Sequence, residues 1–479
     1  MRVSWIMLFI WCSLFVSAQD KQGMAGSNYL STSALFLNPA NTSDSRCFLQ
    51  FNLADAGAMV STNIAYLPKL NPYALMFGAT PPEPVPKSTS GKEFVQLRAD
   101  VMGPAFVIST MDFGAGFFTR VRSNSMAKGM SYDAMMQILD PESDYHNAYP
   151  EQVKVNDVLI GSMTWAEYGL NYSKMLRLEP DRLLNVGLSV KYLTGINLNY
   201  KRVNELEANL VDSTYQVIRL KASDAYNDAA WNSGRGFSAD LGITYKKMLN
   251  NINNYYVNSK RSNCKYEDYK YKWSVSLMDL GALKFTKGTH RAKIDTTVYT
   301  TSQDQSFTAN FDNYYTANQP IWAICPSALV LQGDYNFENR IYLNALLIKN
   351  LIPDAVIGAQ ASNLICIAPR YETRTIEVSL PLTFQRFRYP YLGLAFRFRT
   401  FVLGVDNVVP FIVPSNTSHF GVYFKLGLSL FRNQACNTKK MAVDDCRPGL
   451  KKKKTSRKVK QGNNINKKNS LKKRIITWL

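Results

Sequence analysis

The sequence predicts an all-β protein, a transmembrane antiparallel β-barrel of about 14 strands. The first observation is an alternation of apolar residues with polar or small ones, which places the two kinds on opposite faces of a strand. The second is the length of these stretches, because a tilted strand needs about 9–11 residues to cross a bilayer, whereas strands of soluble sandwiches have about 5–6. The third is that no run of 18 apolar residues occurs after the N-terminal leader.

The first element, residues 1–18, has the pattern of a secretory signal peptide. Arg2 precedes the apolar run Trp5–Val16, and small residues then lead to Gln19, where we expect the mature chain to begin. An uncleaved anchor helix is the alternative, but the run is too short to span a bilayer. The protein is therefore expected to be exported.

The second element, residues 19–46, is a short segment before the first predicted strand. It contains a predicted turn at Asn38, Pro39 and Ala40. Pro39 lacks a backbone donor and biases Asn38 away from the helical region, so the chain should change direction there.

The third element, residues 47–431, contains the alternating stretches and is predicted to form the barrel. In the clearest stretch, 420–430, Leu426 belongs to an apolar face and Lys425 to a polar or small one. Similar stretches lie at 186–192, 237–245, 273–277, 376–384 and 394–398. The sequences between strands at 67–93, 123–163, 197–233 and 284–337 are too long for hairpins and are expected to be long loops.

Five charged residues on the polar faces of these strands are candidates for the lumen: Arg98, Arg120, Asp240, Arg397 and Arg399. The common explanation is an Arg/Asp network that braces the barrel, and the more specific one is a path for an anionic solute. Asp240 shares its face with Ser238 and Thr244, and a solvated or paired luminal carboxylate is a simpler interpretation than a catalytic one.

The sequence gives little indication of an enzyme, a metal site or a cofactor site. Its three histidines are isolated, and it lacks the common hydrolase, nucleotide and zinc-protease motifs. The cysteines have no zinc-binding spacing. Cys436 and Cys446 could form a disulfide in an oxidising compartment, and two free thiols are an equal alternative.

The fourth element, residues 432–479, is a basic tail that should be disordered because it has almost nothing to bury. Residues 451–474 contain 12 lysines and arginines and no acid, so the rest of the chain accounts for only +8 of the net charge of +20. Such a tail could bind peptidoglycan, anionic lipid or a secretion or attachment protein, or remain an unbound extension; nucleic acid is not expected outside the cell. The first basic residues are Lys451, Lys452, Lys453, Lys454, Arg457, Lys458 and Lys460.

Several short motifs across residues 28–431 resemble a family of Bacteroidota outer-membrane barrels of unknown function. The turn at Asn38 is also similar to that of long-chain fatty-acid transporter (FadL-like) barrels and their PorV-type relatives. In the FadL-like barrels the N-terminal segment plugs the lumen, so this resemblance implies that residues 19–46 form a plug-like segment. The resemblance implies a fold and a location, whereas the basic tail departs from it. The motifs are Leu35–Ala40, Gly103–Phe106, Phe113–Gly114, Thr119–Arg122, Trp165–Gly169, Gly187–Gly195 and Gly236–Tyr245.

Together these features predict a Gram-negative outer-membrane barrel with both termini in the periplasm, embedded in lipid and without enzymatic activity. Our main functional expectation is a structural, assembly or secretion-associated component, similar to partners of type IX secretion. The alternative is a FadL-like transport barrel for a hydrophobic or small solute, and a second alternative is a soluble secreted β-rich binding protein.

Overall fold

A computed structural model describes residues 21–80, 82–87, 93–129, 152–211, 214–252, 257–258, 267–302 and 315–431. The predicted leader, the basic tail and the pair Cys436 and Cys446 lie outside these residues. Within the described ranges, the strands are accompanied by three short helices, Ser31–Ala34, Pro72–Met76 and Val409–Ile412, and by the 3₁₀ turns Gln22–Met24 and Pro39–Asp44. No helix among the described residues is long and apolar enough to cross a membrane.

Most of the described chain is β-strand. The first twelve strands are β1 Leu49–Thr62, β2 Ala65–Leu70, β3 Val85–Pro86, β4 Phe94–Thr110, β5 Phe113–Lys128, β6 Gln152–Glu179, β7 Arg182–Val211, β8 Thr214–Asn227, β9 Gly234–Met248, β10 Tyr269–Phe285, β11 Thr289–Ser302 and β12 Tyr315–Ala317. The others are β13 Ile321–Ile324, β14 Ala328–Asn336, β15 Ile341–Asn350, β16 Leu364–Glu372, β17 Ile376–Ser379, β18 Leu382–Gln385, β19 Tyr389–Leu392, β20 Leu394–Phe398, β21 Phe401–Val405, β22 Ser415–Thr417 and β23 His419–Leu430.

The strands form a closed antiparallel barrel, because β1 pairs with β4 on one side and with β23 on the other. Three wall positions are made of two consecutive short strands each: β13 with β14, β17 with β18, and β19 with β20. Counted in this way over the described residues, the barrel has 14 strands, which confirms the predicted fold class.

The alternation of faces also agrees with the sequence. In β23 the side chains of Phe424, Leu426 and Leu428 are exposed on the outer surface, whereas Tyr423 and Lys425 are buried inside. The same pattern along β1, β9, β10 and β16 gives the barrel an apolar exterior and a polar interior, as a bilayer requires.

The two ends of the barrel differ. At one end, which we call the short-turn end, the connections 111–112, 180–181, 337–340, 373–375 and 399–400 join neighbouring strands tightly. Leu49 at the start of β1 pairs with Leu430 at the end of β23, so both ends of the barrel sequence lie there too. At the opposite end, the long-loop end, the described connections are longer: residues 351–363 join β15 to β16, and residues 406–418 lie between β21 and β23.

Several connections that we expected to be loops are strands instead. The first half of β7, Arg182–Gly195, pairs with β9 in the barrel, and its second half, Asn199–Val211, pairs with β8. β8 then pairs with β11, and β11 with β12, so the sheet continues beyond the barrel at the long-loop end. The expectation of long loops was wrong for the parts of 123–163, 197–233 and 284–337 that strands occupy. Polar strands outside the bilayer lack the apolar face of a membrane strand, whereas β14 lies in the wall and its alternation is broken by Val330 on the inner face.

Candidate functional site

The N-terminal residues 21–46, which we call the plug, lie inside the lumen. Lys21 forms an ion pair with Asp55 of β1, and Gln22 accepts a hydrogen bond of 2.6 Å from the Thr383 hydroxyl of β18. Farther along, Ser27 donates to Glu377 at 2.7 Å. The plug therefore contacts the wall over much of its length and occupies the half of the lumen nearer the short-turn end.

The predicted turn at Asn38, Pro39 and Ala40 rests against the wall formed by β6, β7, β9 and β10. The Asn38 side chain accepts a hydrogen bond from the Ala40 amide at 2.8 Å and donates one to the Ile243 carbonyl at 3.1 Å. A Cβ atom at Gly187 or Gly242 would collide with this turn. These wall glycines allow the plug to approach the barrel backbone, which is a common reason for glycine inside a strand.

Ion pairs fix the last part of the plug where it leaves the lumen. Asp44 pairs with Lys246 of β9, and Arg46 pairs with Asp268 at 2.7 Å and lies 3.5 Å from a Glu372 carboxylate oxygen. These side chains are largely buried, so losing one partner would leave a charge in a poorly solvated place. The plug is thus held at its exit by charge as well as by packing.

A network of charged side chains lies on one wall at mid-depth. Arg122 of β5 pairs with Asp279 of β10 at 2.7 Å and with Glu167 of β6 at 3.0 Å. Lys191 of β7 pairs with Asp240 of β9 at 2.7 Å and also with Asp279. Each of the five strands β5, β6, β7, β9 and β10 thus supplies one charged side chain to the network. These strands are neighbours in the barrel wall, so their side chains lie close together.

Asp279 contacts both Arg122 and Lys191 because its backbone conformation is irregular. The register between β9 and β10 shifts between Leu277 and Leu280, and Asp279 has a positive φ of 56°. Its amide donates to Asp240 at 2.7 Å. Bulges of this kind re-aim a side chain, and here the bulge turns a carboxylate towards Arg122 and Lys191.

On the long-loop side of the network, residues 351–363 cross the lumen; we call them the crossing loop. They connect β15 to β16, yet the Gln360 carbonyl accepts hydrogen bonds from Arg98 of β4 at 2.8 Å and Asn124 of β5 at 2.6 Å. In the strand order around the barrel, β4 and β5 lie opposite β15 and β16. Ala359 packs with the buried apolar side chains Trp165, Leu193, Leu283 and Phe285.

Asp354 fastens the crossing loop at the rim. Its carboxylate accepts hydrogen bonds from Lys128 at 2.6 Å and from the Gln360 side chain at 2.7 Å. Partial burial raises the pKa of Asp354, but these hydrogen bonds and the charge of Lys128 outweigh burial and hold the pKa below its ordinary value. The carboxylate is therefore ionised at neutral pH and holds the loop.

A small chamber remains between the plug and the crossing loop. Its volume of about 40 Å³ is enough for a few water molecules and no larger solute. One side of the chamber is lined by charged residues and the other by apolar residues. The plug bounds the chamber towards the short-turn end, and the crossing loop bounds it towards the long-loop end. Its lining includes Arg98, Arg120, Arg122, Lys191 and Asp279 on the charged side, Ala328, Val330 and Ile348 on the apolar side, Phe36 and Leu37 from the plug, and Ala361 from the crossing loop.

The structure places four of the five luminal candidates inside the barrel and one elsewhere. Arg98 and Arg120 line the chamber, with Arg120 paired to Asp100 and its guanidinium 4.5 Å from the Phe36 ring centre. Asp240 belongs to the network, and Arg397 pairs with Glu377 at 2.7 Å near the short-turn end. Arg399 is exposed, because β20 ends at Phe398 and Arg399 turns with a φ of 55° into the next strand.

Sequence reasoning missed Arg122, Lys191, Glu167 and Asp279. Lys191 lies on the polar side of the predicted strand 186–192, and this position could have suggested it. Asp279 could not have been found in this way, because the bulge interrupts the alternation just before it. Among the described residues no group of three or more His, Cys, Asp or Glu side chains could hold a metal ion.

Comparison with known families gives a match over most of the barrel. Residues 39–406 match a family of unknown function, DUF5723. The chain belongs to this family. No protein of curated function matches the sequence. The expected Bacteroidota origin and the PorV-type similarity stay predictions for this DUF5723 barrel.

Three solved structures similar to the DUF5723 barrel are described as hydrocarbon channels or transporters. A TodX deltaS2S3 mutant, described as a monoaromatic hydrocarbon channel, has 10% identity and a TM-score of 0.39, over 82% of this chain and 93% of that one. The P. putida toluene transporter TodX has 10% identity and a TM-score of 0.38, over 82% and 91%. The Ralstonia pickettii toluene transporter TbuX has 9% identity and a TM-score of 0.38, over 82% and 92%.

These comparisons correct our main functional expectation. A structural, assembly or secretion-associated component was expected from the sequence, whereas these similar structures are channels and transporters. That expectation was wrong.

Proposed function

We propose that the protein is a non-enzymatic outer-membrane channel for a small or hydrophobic solute, closed at rest by the plug and the crossing loop. The observation that carries the proposal is how the lumen is filled. Side chains alone fill barrels of about eight strands, whereas barrels of 16–18 strands leave an aqueous channel. In this barrel two chain segments occupy the extra space, and a segment can move out of a lumen without unfolding its wall.

The plug is suited to such a movement. It joins the barrel sequence at its exit, near Arg46, and its contacts with the wall combine hydrogen bonds and ion pairs with apolar packing of Leu30, Leu35 and Leu37. Water or a polar solute can replace the polar contacts one at a time, and the apolar contacts are divided among three separate clusters rather than one core. A partial withdrawal of the plug would join the chamber to the short-turn end.

The chamber favours a solute with both polar and apolar parts. Its charged side offers Arg122 and Lys191, whose partners are the carboxylates of the network, and its apolar side offers Val330 and Ile348. A solute that crosses this layer would contact both kinds of surface. We therefore propose a small amphipathic solute over a large, fully hydrophilic one.

The orientation of the barrel and the removal of residues 1–18 also belong to this proposal. Outer-membrane barrels have short periplasmic turns and longer extracellular loops. The short-turn end would then face the periplasm together with both termini, and the long-loop end would face the outside. Lys21 is half-buried within the lumen and paired with Asp55, which favours cleavage of the leader before the plug enters the barrel.

A reversible lock of the plug tests the proposal. The hydroxyl oxygens of Thr42 in the plug and Ser173 in β6 are 2.7 Å apart, so cysteines at both positions would be close enough for a disulfide. With Thr42→Cys and Ser173→Cys together, oxidation should abolish solute uptake into proteoliposomes, and a reductant should restore it. Thr42→Cys alone is the control, and its uptake should be the same under both conditions.

Deleting residues 21–46 gives the complementary measurement. A barrel that still assembles should then show higher conductance in planar bilayers and faster entry of small dyes. Two results together would contradict a channel closed by this segment: equal conductance with and without the plug, and equal solute uptake by the oxidised and reduced forms of the double-cysteine variant.

A further inference from the structure

An exposed apolar patch lies at the long-loop end, outside the barrel wall, and plays no part in the lumen. It is formed by the helix Pro72–Met76 with Phe77 after it, and by the helix Val409–Ile412 with Val413 after it. The exposed fractions are 90% for Phe77, 73% for Ile412 and 59% for Val413. We call Tyr73, Phe77, Phe411, Ile412 and Val413 the rim patch.

The two segments of the rim patch are held together and to the barrel by aromatic contacts. The rings of Tyr73 and Phe411 meet edge to face with centroids 5.6 Å apart. Phe411 in turn stacks on Phe420, the first apolar residue of β23, at 6.1 Å. Hydrogen bonds from the Tyr73 and Val409 amides to the side chains of Asn71 and Asn407 also fix where the two helices begin.

The stacking on Phe420 places the rim patch at the edge of the lipid-facing surface. Phe420 pairs with Val60 of β1, and both lie on the outer face. On β1 the exposed apolar side chains run from Phe51 to Val60. At about 3.3 Å per residue and a tilt of about 40° this stretch spans about 23 Å, close to the height of about 25 Å of the apolar band of such barrels. The rim patch therefore continues this band directly beyond its outer edge.

The composition of the two segments agrees with contact to lipid. No Asp, Glu, Lys or Arg occurs between Lys69 and Glu83, nor between Asp406 and Lys425. Exposed loops of a water-facing surface normally carry charge, and a contiguous exposed apolar patch marks a contact site. Aromatic and aliphatic side chains without charge are typical of segments that lie in a membrane interface.

We propose that the rim patch inserts into the outer leaflet of the membrane and anchors the long-loop end of the barrel there. The bilayer, and not a second copy of the chain or another protein, is the occupant, because the patch is continuous with the surface that lipid already covers. Through the helix Val409–Ile412, such an anchor would also fix the start of β23, which closes the barrel with β1.

An environment-sensitive fluorophore at the patch tests this inference. In the full chain, with Cys264, Cys436 and Cys446 replaced by serine, the dye would be attached to Ile412→Cys or, separately, to Phe77→Cys. Both side chains are exposed, so neither change removes a packing contact of the barrel. Lys287→Cys, an exposed position in the connection after β10 at the same end, is the matched control.

In phosphatidylcholine vesicles, the dye at positions 412 and 77 should emit at shorter wavelength than at 287. It should be quenched by nitroxides on the lipid acyl chains near the headgroup and protected from aqueous iodide, and the control should behave in the opposite way. Quenching by iodide equal to that of the control would overturn the proposal. So would protection from both quenchers, which would indicate that protein covers the patch.

Discussion

At the scale of single residues, the outer face of β23 tests the membrane location most directly. Leu426 is exposed. Where β23 pairs with β1, it lies opposite Ala54, near the middle of the apolar stretch of β1. A charged side chain at this depth has no water to reach. We expect Leu426→Arg to lower the free energy of unfolding in lipid by about 2–4 kcal/mol, the usual cost of arginine at the bilayer midplane.

The same substitution near the end of the strand is the control for depth. Leu430 pairs with Leu49 at the short-turn end, where the side chain can reach the interface. Leu430→Arg should cost about 0–1 kcal/mol, as arginine does near the interfaces. Urea titrations of both variants in phospholipid vesicles measure the difference, and equal costs would contradict the assigned membrane position. Gly427→Ser is unsuitable as a control, since a Cβ there would meet the Phe51 carbonyl.

Residue-level prediction from the sequence depended on whether the alternation was regular. Asp240 lies in an unbroken stretch of β9, so its inward direction could be read from its neighbours. Asp279 and Arg399 each have a positive φ at an irregular position, a bulge and a turn, and period-two reasoning does not apply there. The bulge creates the centre of the charge network, and the sequence alone gave no indication of it.

At the scale of elements, the strands were predictable and the contents of the lumen only partly so. Long alternating strands follow from the need for an apolar exterior, and the turn at Asn38 follows from Pro39. The position of the crossing loop could not be predicted. Residues 351–363 show neither the period of two residues of a strand nor the period of 3.6 residues of a helix. They are anchored by Gln360, which contacts the opposite wall through its backbone carbonyl, a group that every residue has.

The crossing loop should respond to acid through Asp354. Its pKa is lowered in the folded loop, so the carboxylate stabilises the loop above the ordinary aspartate pKa of about 3.9 and ceases to do so as the pH falls through the lowered value. We expect the conductance of the plug-deleted barrel to rise reversibly below about pH 4 as the loop is released. Single-channel recording across this pH range measures the effect.

Asp354→Asn is the matched control, since the amide keeps the size of the side chain and removes its charge. In the variant the contact with Lys128 is weakened at every pH, so the conductance should already be raised at neutral pH and should change little on acidification. A rise below pH 4 of the same size in both proteins would assign the acid response to another carboxylate.

At the scale of the whole molecule, closure of the barrel and closure of the lumen have different physical origins. The wall closes through the backbone ladder of β1 with β23 and an apolar outer face, which is the only arrangement of strands that leaves no open edge in lipid. The lumen closes through the plug and the crossing loop, which contact the wall by hydrogen bonds, ion pairs and small apolar clusters. Segments that can leave the lumen while the wall keeps its ladder are what a channel that opens without unfolding requires.

The basic tail would connect this barrel to its surroundings, and we propose that it acts as an electrostatic tether on the periplasmic side. Its 12 positive charges between residues 451 and 474 have no acidic neighbours among them. Near an anionic surface each contributes up to about 1 kcal/mol within a Debye length of about 8–10 Å. The full-length protein should be retained on purified cell-wall sacculi or anionic vesicles, and added salt should release it.

Truncation after Cys446 should leave a barrel that folds normally but loses this retention. Replacing Lys451, Lys452, Lys453 and Lys454 by glutamine should weaken retention in part. Equal binding of the full-length and truncated proteins at low salt would exclude the tether.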